Sequence, residues 1–491
     1  MRVREVGRGS RIDSQGIVPL FKALSSRQTH IVRDGDIQIR CPIHGTLPVS
    51  VREIKLIDHP FFQRLRNIKQ LGFADLAFPG ATHTRYAHSL GAMHVATRLF
   101  DRLFPPRHLR DEGRTDLPGS NLPERVRARF RQATRLAMLF HDLGHAPLSH
   151  TTEMLMPSVG ELGLGVFAGG DVTRNATHED YTLKIVLDSS LGELIKKLFD
   201  DDGILAQDVA ELIVGNTWQG TSARYRHGGV DFTPVLRQVV SSECDADRMD
   251  YLQRDSFYSG VNYGKFDADW LIDNVTPVLQ NGAVHLGIKS RAIFSFEDFL
   301  LSRYHMFATV YLHYTPVIFE KMLARYFEET RGEFDLPADI EKYCALDDID
   351  LWAALRRSKN SWARRVVERK PFVLLDEKSE QHQQAGSRVS HDELAERLES
   401  EKIAHIKTRS RSVLSKYFDA VNKSPIFVVT GTGAPTLLEE FTPLYARYKK
   451  PALLERVFVD PARRADASAV LTAIVEQLAT RALPTAPSAD A

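Results

Sequence analysis

Residues 139–150 read LFHDLGHAPLSH, placing His141, Asp142, His145 and His150 in a stretch that is otherwise apolar or small. His141 and Asp142 are adjacent and close an apolar helical pattern just before Gly144, where side chains project from a rigid end into a cavity. Imidazole and carboxylate together suit a first-row divalent ion such as Mn, Fe, Zn or Ni better than the all-oxygen shells preferred by Mg or Ca. Two adjacent ligands cannot complete a coordination sphere, so partners must come from elsewhere in the chain. His88 shares a helical face with Gly91, Val95 and Leu99, and Asp247 lies in SECDADRMDYLQRDSF. At about 100° per residue, Asp247, Arg248, Tyr251 and Asp255 fall on one helix face, a polar stripe of little use to a core. Taken singly, each feature has a plainer account. An inward histidine is more often a hydrogen-bonded core residue, and DADRMDYLQRD could be a solvated face with i,i+4 ion pairs. The order His, His-Asp, Asp, carried on helices, favours a site.

The elements that must position these residues are helical from about 50 to 330. VREIKLIDHPFFQRLRNIKQLG predicts two short helices broken at Pro60 and stopped by Gly72. THTRYAHSLGAMHVATRLFDRLF carries an apolar stripe at Tyr86, Leu90, Met93, Thr97 and Phe100, and the segment from Asn121 to Phe140 repeats it through Val126, Phe130, Ala133, Ala137 and Phe140. Ahead of them, HIVRDGDIQIRCPIHGTLPVS alternates around Asp34-Gly35, the pattern of a short hairpin. Residues 157–177 are glycine-rich and read as a loop, but no Gly-Lys-Ser/Thr follows, so they are no phosphate-binding loop. Segment 378–402 is polar and charged, a linker or exposed helix. PIFVVTG and LLERVFVD are β-like and point to a small C-terminal α+β unit. The expected division is a flexible arm (1–35), a main core (36–345), a C-terminal helical and α+β region (346–480) and a disordered tail (481–491).

The 491 residues are 43% hydrophobic and 26% charged, a folded rather than disordered composition. Sixty-four Lys and Arg against 63 Asp and Glu leave no global field to recruit a polyanion, so nucleic acid is not a favoured partner. Cys41, Cys244 and Cys344 lack any CxxC spacing and read as reduced thiols. The N-terminal stretch has no signal-peptide core, and no apolar run reaches the length of a bilayer span. A cytoplasmic chain without a membrane partner is expected.

FPGATHTRYAHSLG, HDLGHAPLSH and DADRMDYLQRD resemble the HD-domain phosphohydrolases. Within these they look most like the dNTP triphosphohydrolases, whose animal members join an HD domain to a sterile-alpha-motif domain. The similarity runs over roughly residues 40–320. It implies a mostly α fold, an HD-domain helical core with a small C-terminal α+β subdomain. It also implies that His88, His141, Asp142 and Asp247 bind a divalent metal, with Mn, Fe, Zn, Ni, Co and Mg all open. By the same resemblance His145 and His178 act on the phosphate and leaving group, His150 is a further active-site histidine, and Glu153 stands where the animal members have an aspartate.

Arg85, Arg248 and Arg303 match residues that contact phosphates. Tyr251, Asp255 and Tyr311 match residues on the sugar side. Gln70 and Leu71 match the pair that reads the 3′-hydroxyl and crowds the 2′ position. Asp58, Gln63 and Arg66 match a site for an activating guanine nucleotide between subunits, whereas Arg40 and Cys41 depart from that site's pattern. The implied activity is hydrolysis of a dNTP to deoxynucleoside and triphosphate by a homo-oligomer, for precursor balance or antiviral defence. The alternatives are an HD nuclease or phosphodiesterase on single-stranded or cyclic nucleotides, and a nucleotide sensor without turnover.

Overall fold

The computed structural model of the protein describes residues 37–109, 118–119, 122–164, 171–214, 224–379, 389–412, 425–431, 434–444 and 452–482. The expected arm and residues 483–491 of the expected tail lie outside these residues. The described chain is mostly helical, with three small sheets.

The chain enters through an antiparallel hairpin, β1 (Ile37–Cys41) and β2 (Gly45–Val49), in which Ile37 faces Val49 and Cys41 faces Gly45. Its turn lies at 42–44; the hairpin expected around Asp34-Gly35 falls outside the described residues. Gly45, at φ +74, supplies the left-handed residue that closes the turn. Helix α1 (Val51–Ile57) follows, with Ser50 and Glu53 forming a reciprocal capping box. The expected break between two short helices is present: Pro60 begins the second, Pro60–Gln63, capped by the His59 ring, which runs into a 3₁₀ turn at Arg64–Asn67. Gly72 opens a further 3₁₀ turn, Gly72–Leu76, instead of ending a helix.

Helices α2 (Arg85–Leu103) and α3 (Glu124–Phe140) pack with their expected stripes buried, among them Leu90, Met93, Phe100, Phe130, Ala137 and Phe140. Helix α4 (His178–Leu187), helix α5 (Ala246–Ser259), helix α6 (Ile293–Met306) and helix α7 (Tyr314–Glu329) complete the part of the core that carries the site. Where described, the glycine-rich 157–177 segment includes the helical turn Val159–Leu162 and a bridge between Ser158 and Asn175. Strands β3 (Val275–Gln280) and β4 (Ala283–Lys289) form a hairpin on Asn281-Gly282, both at positive φ as a tight two-residue hairpin turn requires.

Two layers close the molecule. Helix α8 (Asp348–Arg357) brings Leu351 and Leu355 into a second apolar cluster with Phe73, Leu148, Phe319 and Met322. Strands β5 (Val373–Ser379) and β6 (His405–Ser412) flank β8 (Ala452–Val459) in an antiparallel sheet. Helices α9 (His391–Ser400) and α10 (Arg464–Ala482) cover it through Leu394, Leu398, Val457, Val459 and Ile474. Segment 378–402 is therefore no linker where described: it ends β5 and forms α9, whose apolar side is buried. The PIFVVTG strand, β7 (Phe427–Val429), joins β4 in parallel and so belongs to the core sheet, not to the C-terminal one.

Candidate metal centre and active site

His88 lies in the second turn of α2, His141 caps the C-terminal end of α3, Asp142 follows it, and Asp247 stands in the first turn of α5. Three chain segments thus meet at one point. His88 Nε2 is 3.3 Å from His141 Nε2, 3.1 Å from Asp247 Oδ1 and 3.6 Å from Asp142 Oδ2. His141 Nε2 is 3.5 Å from Asp247 Oδ1 and 3.4 Å from Asp142 Oδ1. The opposite ring nitrogens are committed. His88 Nδ1 donates to Asp250 Oδ2 at 2.8 Å, and His141 Nδ1 donates to the Met138 carbonyl at 2.7 Å. In the neutral rings both Nε2 atoms carry the lone pair, and they face each other and two carboxylates. His88, His141 and Asp247 each offer a donor atom close enough to the others to hold one divalent ion, with Asp142 alongside. The residues fit a metal.

The electrostatics agree. Burial disfavours charge on His88, yet hydrogen bonds to Asp247 and Asp250 and the nearby anions push its pKa up to about 10. Burial likewise opposes ionisation of Asp247 and Asp142, but the histidines beside them, and Arg85 beside Asp142, hold both well below the carboxylate range. The pocket calls for a cation, and a proton fills that need where an ion does not.

Asp250 organises the layer behind. Its Oδ1 accepts from His44 Nε2 at 2.6 Å and Arg254 Nη2 at 2.7 Å, while Oδ2 accepts from Arg254 Nε and His88 Nδ1, each at 2.8 Å. Such a partner fixes a ligating histidine's tautomer and orientation. Gly91 makes room for it: a Cβ there would lie 2.0 Å from Asp250 Oδ1.

Beside the centre, the buried His145 ring stacks on His178 with centroids 3.9 Å apart, and its Nε2 is 3.3 Å from Asp142 Oδ1. Burial, then the charges of Arg85 and His178, hold His145 well below the ordinary imidazole pKa, so it is neutral at pH 7. Glu153 Oε1 accepts from His178 Nδ1 at 2.6 Å and from His150 Nδ1 at 2.9 Å. Burial opposes its ionisation, but these two bonds bring its pKa down to about 2. His178 is the first residue of α4, and the capping role falls to Thr177. Gly144 permits this approach, since a Cβ there would lie 2.0 Å from the His178 carbonyl and 2.4 Å from Thr182 N. Arg85 Nη1 reaches Asp142 Oδ2 at 2.5 Å, and its Nε donates to Ser149 Oγ at 2.9 Å.

The family model described as HD associated region matches residues 266–411. The chain is 33% identical over 290 residues to the uncharacterised protein YwfO of Bacillus subtilis, covering 58% of this chain and 54% of that one. It is 28% identical over 288 residues to the SAMHD1 homologue of Dictyostelium discoideum, named a deoxynucleoside triphosphate triphosphohydrolase, covering 58% and 48% respectively. A solved hypothetical protein from Aquifex aeolicus superposes with a TM-score of 0.66 at 26% identity, over 89% of this chain and all of that one. The chain spans about half the length of the curated relatives it matches.

The chain is similar to HD-domain proteins, deoxynucleoside triphosphate triphosphohydrolases among them.

The other predicted residues fall into two groups. Around the centre, Tyr251 lies 6.5 Å from the His88 ring and 6.2 Å from that of Tyr311, centroid to centroid. Tyr311 ends a π-helical turn, Phe307–Tyr311, and donates to Asp255 Oδ2 at 2.7 Å. The Gln70 Oε1 atom is buried with no hydrogen-bond partner, and Leu71 beside it is half-buried. Arg303 lies 3.7 Å from Glu243 and over the Phe307 ring. Arg248 turns back onto Asp245 and the Ser242 carbonyl. Burial pushes that Asp245 partner up to about 6.

Apart from these, Asp58 caps α1, the Gln63 amide donates to the Ile57 carbonyl, and Arg66 donates to Gln63 Oε1 while stacking 3.6 Å over Tyr86. Local structure already accounts for this trio. Sequence reasoning missed His44, Asp250 and His83. His83 Nε2 donates to Asp255 Oδ1 at 2.8 Å and its ring stacks on Tyr258. The available signals were the histidines of PIHG and THT, both set in otherwise apolar or small surroundings. Among the described residues no helix is long and apolar enough to cross a membrane.

Proposed function

We propose that the protein is a metal-dependent hydrolase that cleaves a deoxynucleoside triphosphate to deoxynucleoside and inorganic triphosphate. The observation that carries this reading is the convergence of His88, His141, Asp142 and Asp247 beside the stacked His145–His178 pair. A divalent ion held by those four residues supplies Lewis-acid polarisation of a phosphate.

The protein's own groups do the remainder. Arg85, anchored on Asp142 and Ser149, and Arg303 hold phosphate charge. Neutral His145 is suited to take a proton from water. Attack at the α-phosphorus breaks the bond to the nucleoside 5′-oxygen, which needs a proton as it leaves. Glu153 keeps a proton on Nδ1 of both His150 and His178, leaving each Nε2 to give or receive one. Gln70 Oε1, buried and unpaired, is an acceptor for a sugar hydroxyl, with Leu71 crowding the 2′ position. An activating nucleotide at Asp58, Gln63 and Arg66 and a homo-oligomeric assembly belong to the same reading.

Product analysis tests it. Each dNTP and NTP is incubated with Mn, Mg, Fe or Co, singly and in mixtures. Deoxynucleoside plus triphosphate, lost in Asp247→Ala, supports the reading. Monophosphate plus pyrophosphate, or cleavage of oligonucleotides alone, overturns it.

A further inference from the structure

Asp348 lies two hundred residues from the HD motif, at the start of α8, yet its buried carboxylate ties the back of the site together. Its Oδ1 accepts the Leu148 N–H at 2.7 Å and its Oδ2 accepts the Lys69 N–H at 3.0 Å. One side chain thus joins the turn that carries Gln70 and Leu71 to the turn that carries Ser149 and His150. Three further contacts join the same two segments. Ser149 Oγ donates to the Lys69 carbonyl at 2.9 Å while accepting from Arg85 Nε. A Cβ on Gly72 would meet the Leu148 carbonyl at 3.5 Å. Phe73 and Leu148 are buried together with Leu351 and Leu355 of α8.

The second turn needs such holding. Leu148 and Ser149 stand at φ +55 and +59, two consecutive side-chain-bearing residues in the left-handed region. L-residues visit that region singly and at a cost, and surrounding contacts must impose it. Both groups facing Asp348 are N–H donors, so the position requires two acceptor oxygens. Asparagine would turn an NH₂ toward one of them.

We propose that Asp348 is a positioning residue that sets the spacing between the sugar-reading turn and the strained 148–149 turn, so that α8 takes part in discriminating deoxyribose from ribose. The inference rests on the reading of the pocket as a deoxynucleoside triphosphate site.

The test compares full-length wild type with Asp348→Asn. Amide exchange in peptides spanning 67–71 and 147–150 is expected to accelerate in both segments together, on the order of tenfold. Exchange unchanged in either segment overturns the bridge. The dNTP-to-NTP ratio of kcat/KM is expected to fall, also on the order of tenfold, while Mn binding stays within about twofold of wild type. An unchanged ratio overturns the specificity role. If wild type hydrolyses no dNTP, the functional reading fails by itself and amide exchange still decides the bridge. If Asp348→Asn does not fold, Ser149→Ala cuts the second tie and must lower the same ratio; a ratio equal to wild type overturns the inference.

Discussion

At the scale of single residues, the candidate centre depends on groups outside its predicted ligands. Asp250 accepts four hydrogen bonds and one of them sets the His88 tautomer. Asp250→Asn is therefore expected to weaken Mn binding by roughly 10–100-fold, measured by titration calorimetry, with Asp247 and Asp142 untouched. Gly91→Ala places a methyl group against that same carboxylate, and weakened Mn binding with a lowered melting temperature is expected to follow. The candidate ligands were legible, because the order His, His-Asp, Asp carried on helices is more than any one of these residues offers alone. Asp250 was not, since DADRMDYLQRD offers three further aspartates and only the rotation of α5 shows that this one faces inward.

At the scale of elements, caps and close approaches decide where the chemistry sits. In α1, buried Glu53 closes the capping box on Ser50 and accepts from Arg135 Nε at 2.6 Å and Nη2 at 2.8 Å, with Gln132 at 2.9 Å. Burial raises its pKa, but Arg135 outweighs this and brings it from 4.5 to about 2. A folded pKa below the unfolded one stabilises fully above about 4.5, and that contribution is lost as pH falls toward 2. Glu53→Gln should cost roughly 3–5 kcal/mol at pH 7, because Arg135 is left buried without its carboxylate. The difference between wild type and variant in denaturant midpoints should shrink as the pH is lowered through that window. Gly144→Ala would push α4 off the histidine loop, moving His178 while leaving the metal ligands in place. A loss of kcat of roughly 10²-fold with unchanged Mn affinity is expected, read by steady-state kinetics against calorimetry. Helices α2 and α3 were legible from their apolar stripes. The break at Pro60 was legible too, but Gly72, ordinarily punctuation, opens a 3₁₀ turn instead of ending a helix.

At the scale of the whole molecule, the C-terminal region is part of the site's foundation. Leu351 is buried against Phe73 and Leu148, so Leu351→Ala should cost roughly 2–5 kcal/mol through the cavity it leaves. The same change should loosen the two turns that Asp348 joins, and an equal fall in stability without faster exchange at 147–150 would contradict that coupling. The polar 378–402 segment left linker and exposed helix both open, because few residues of α9 are buried, among them His391, Leu394 and Leu398. Strand β7 gave no sign of its partner, since a short apolar run shows strand character but not which edge will accept it. The sequence by itself determined the helical core, its buried stripes and the histidines and aspartates fit for a metal, because periodicity and residue type are local properties. Only the tertiary structure decided the union of His88, His141, Asp142 and Asp247 at one point, the four-way role of Asp250 and the reach of Asp348 into two distant turns. Those are long-range pairings, and their partners are selected by packing and by the need of each buried donor for an acceptor, which no spacing along the chain records.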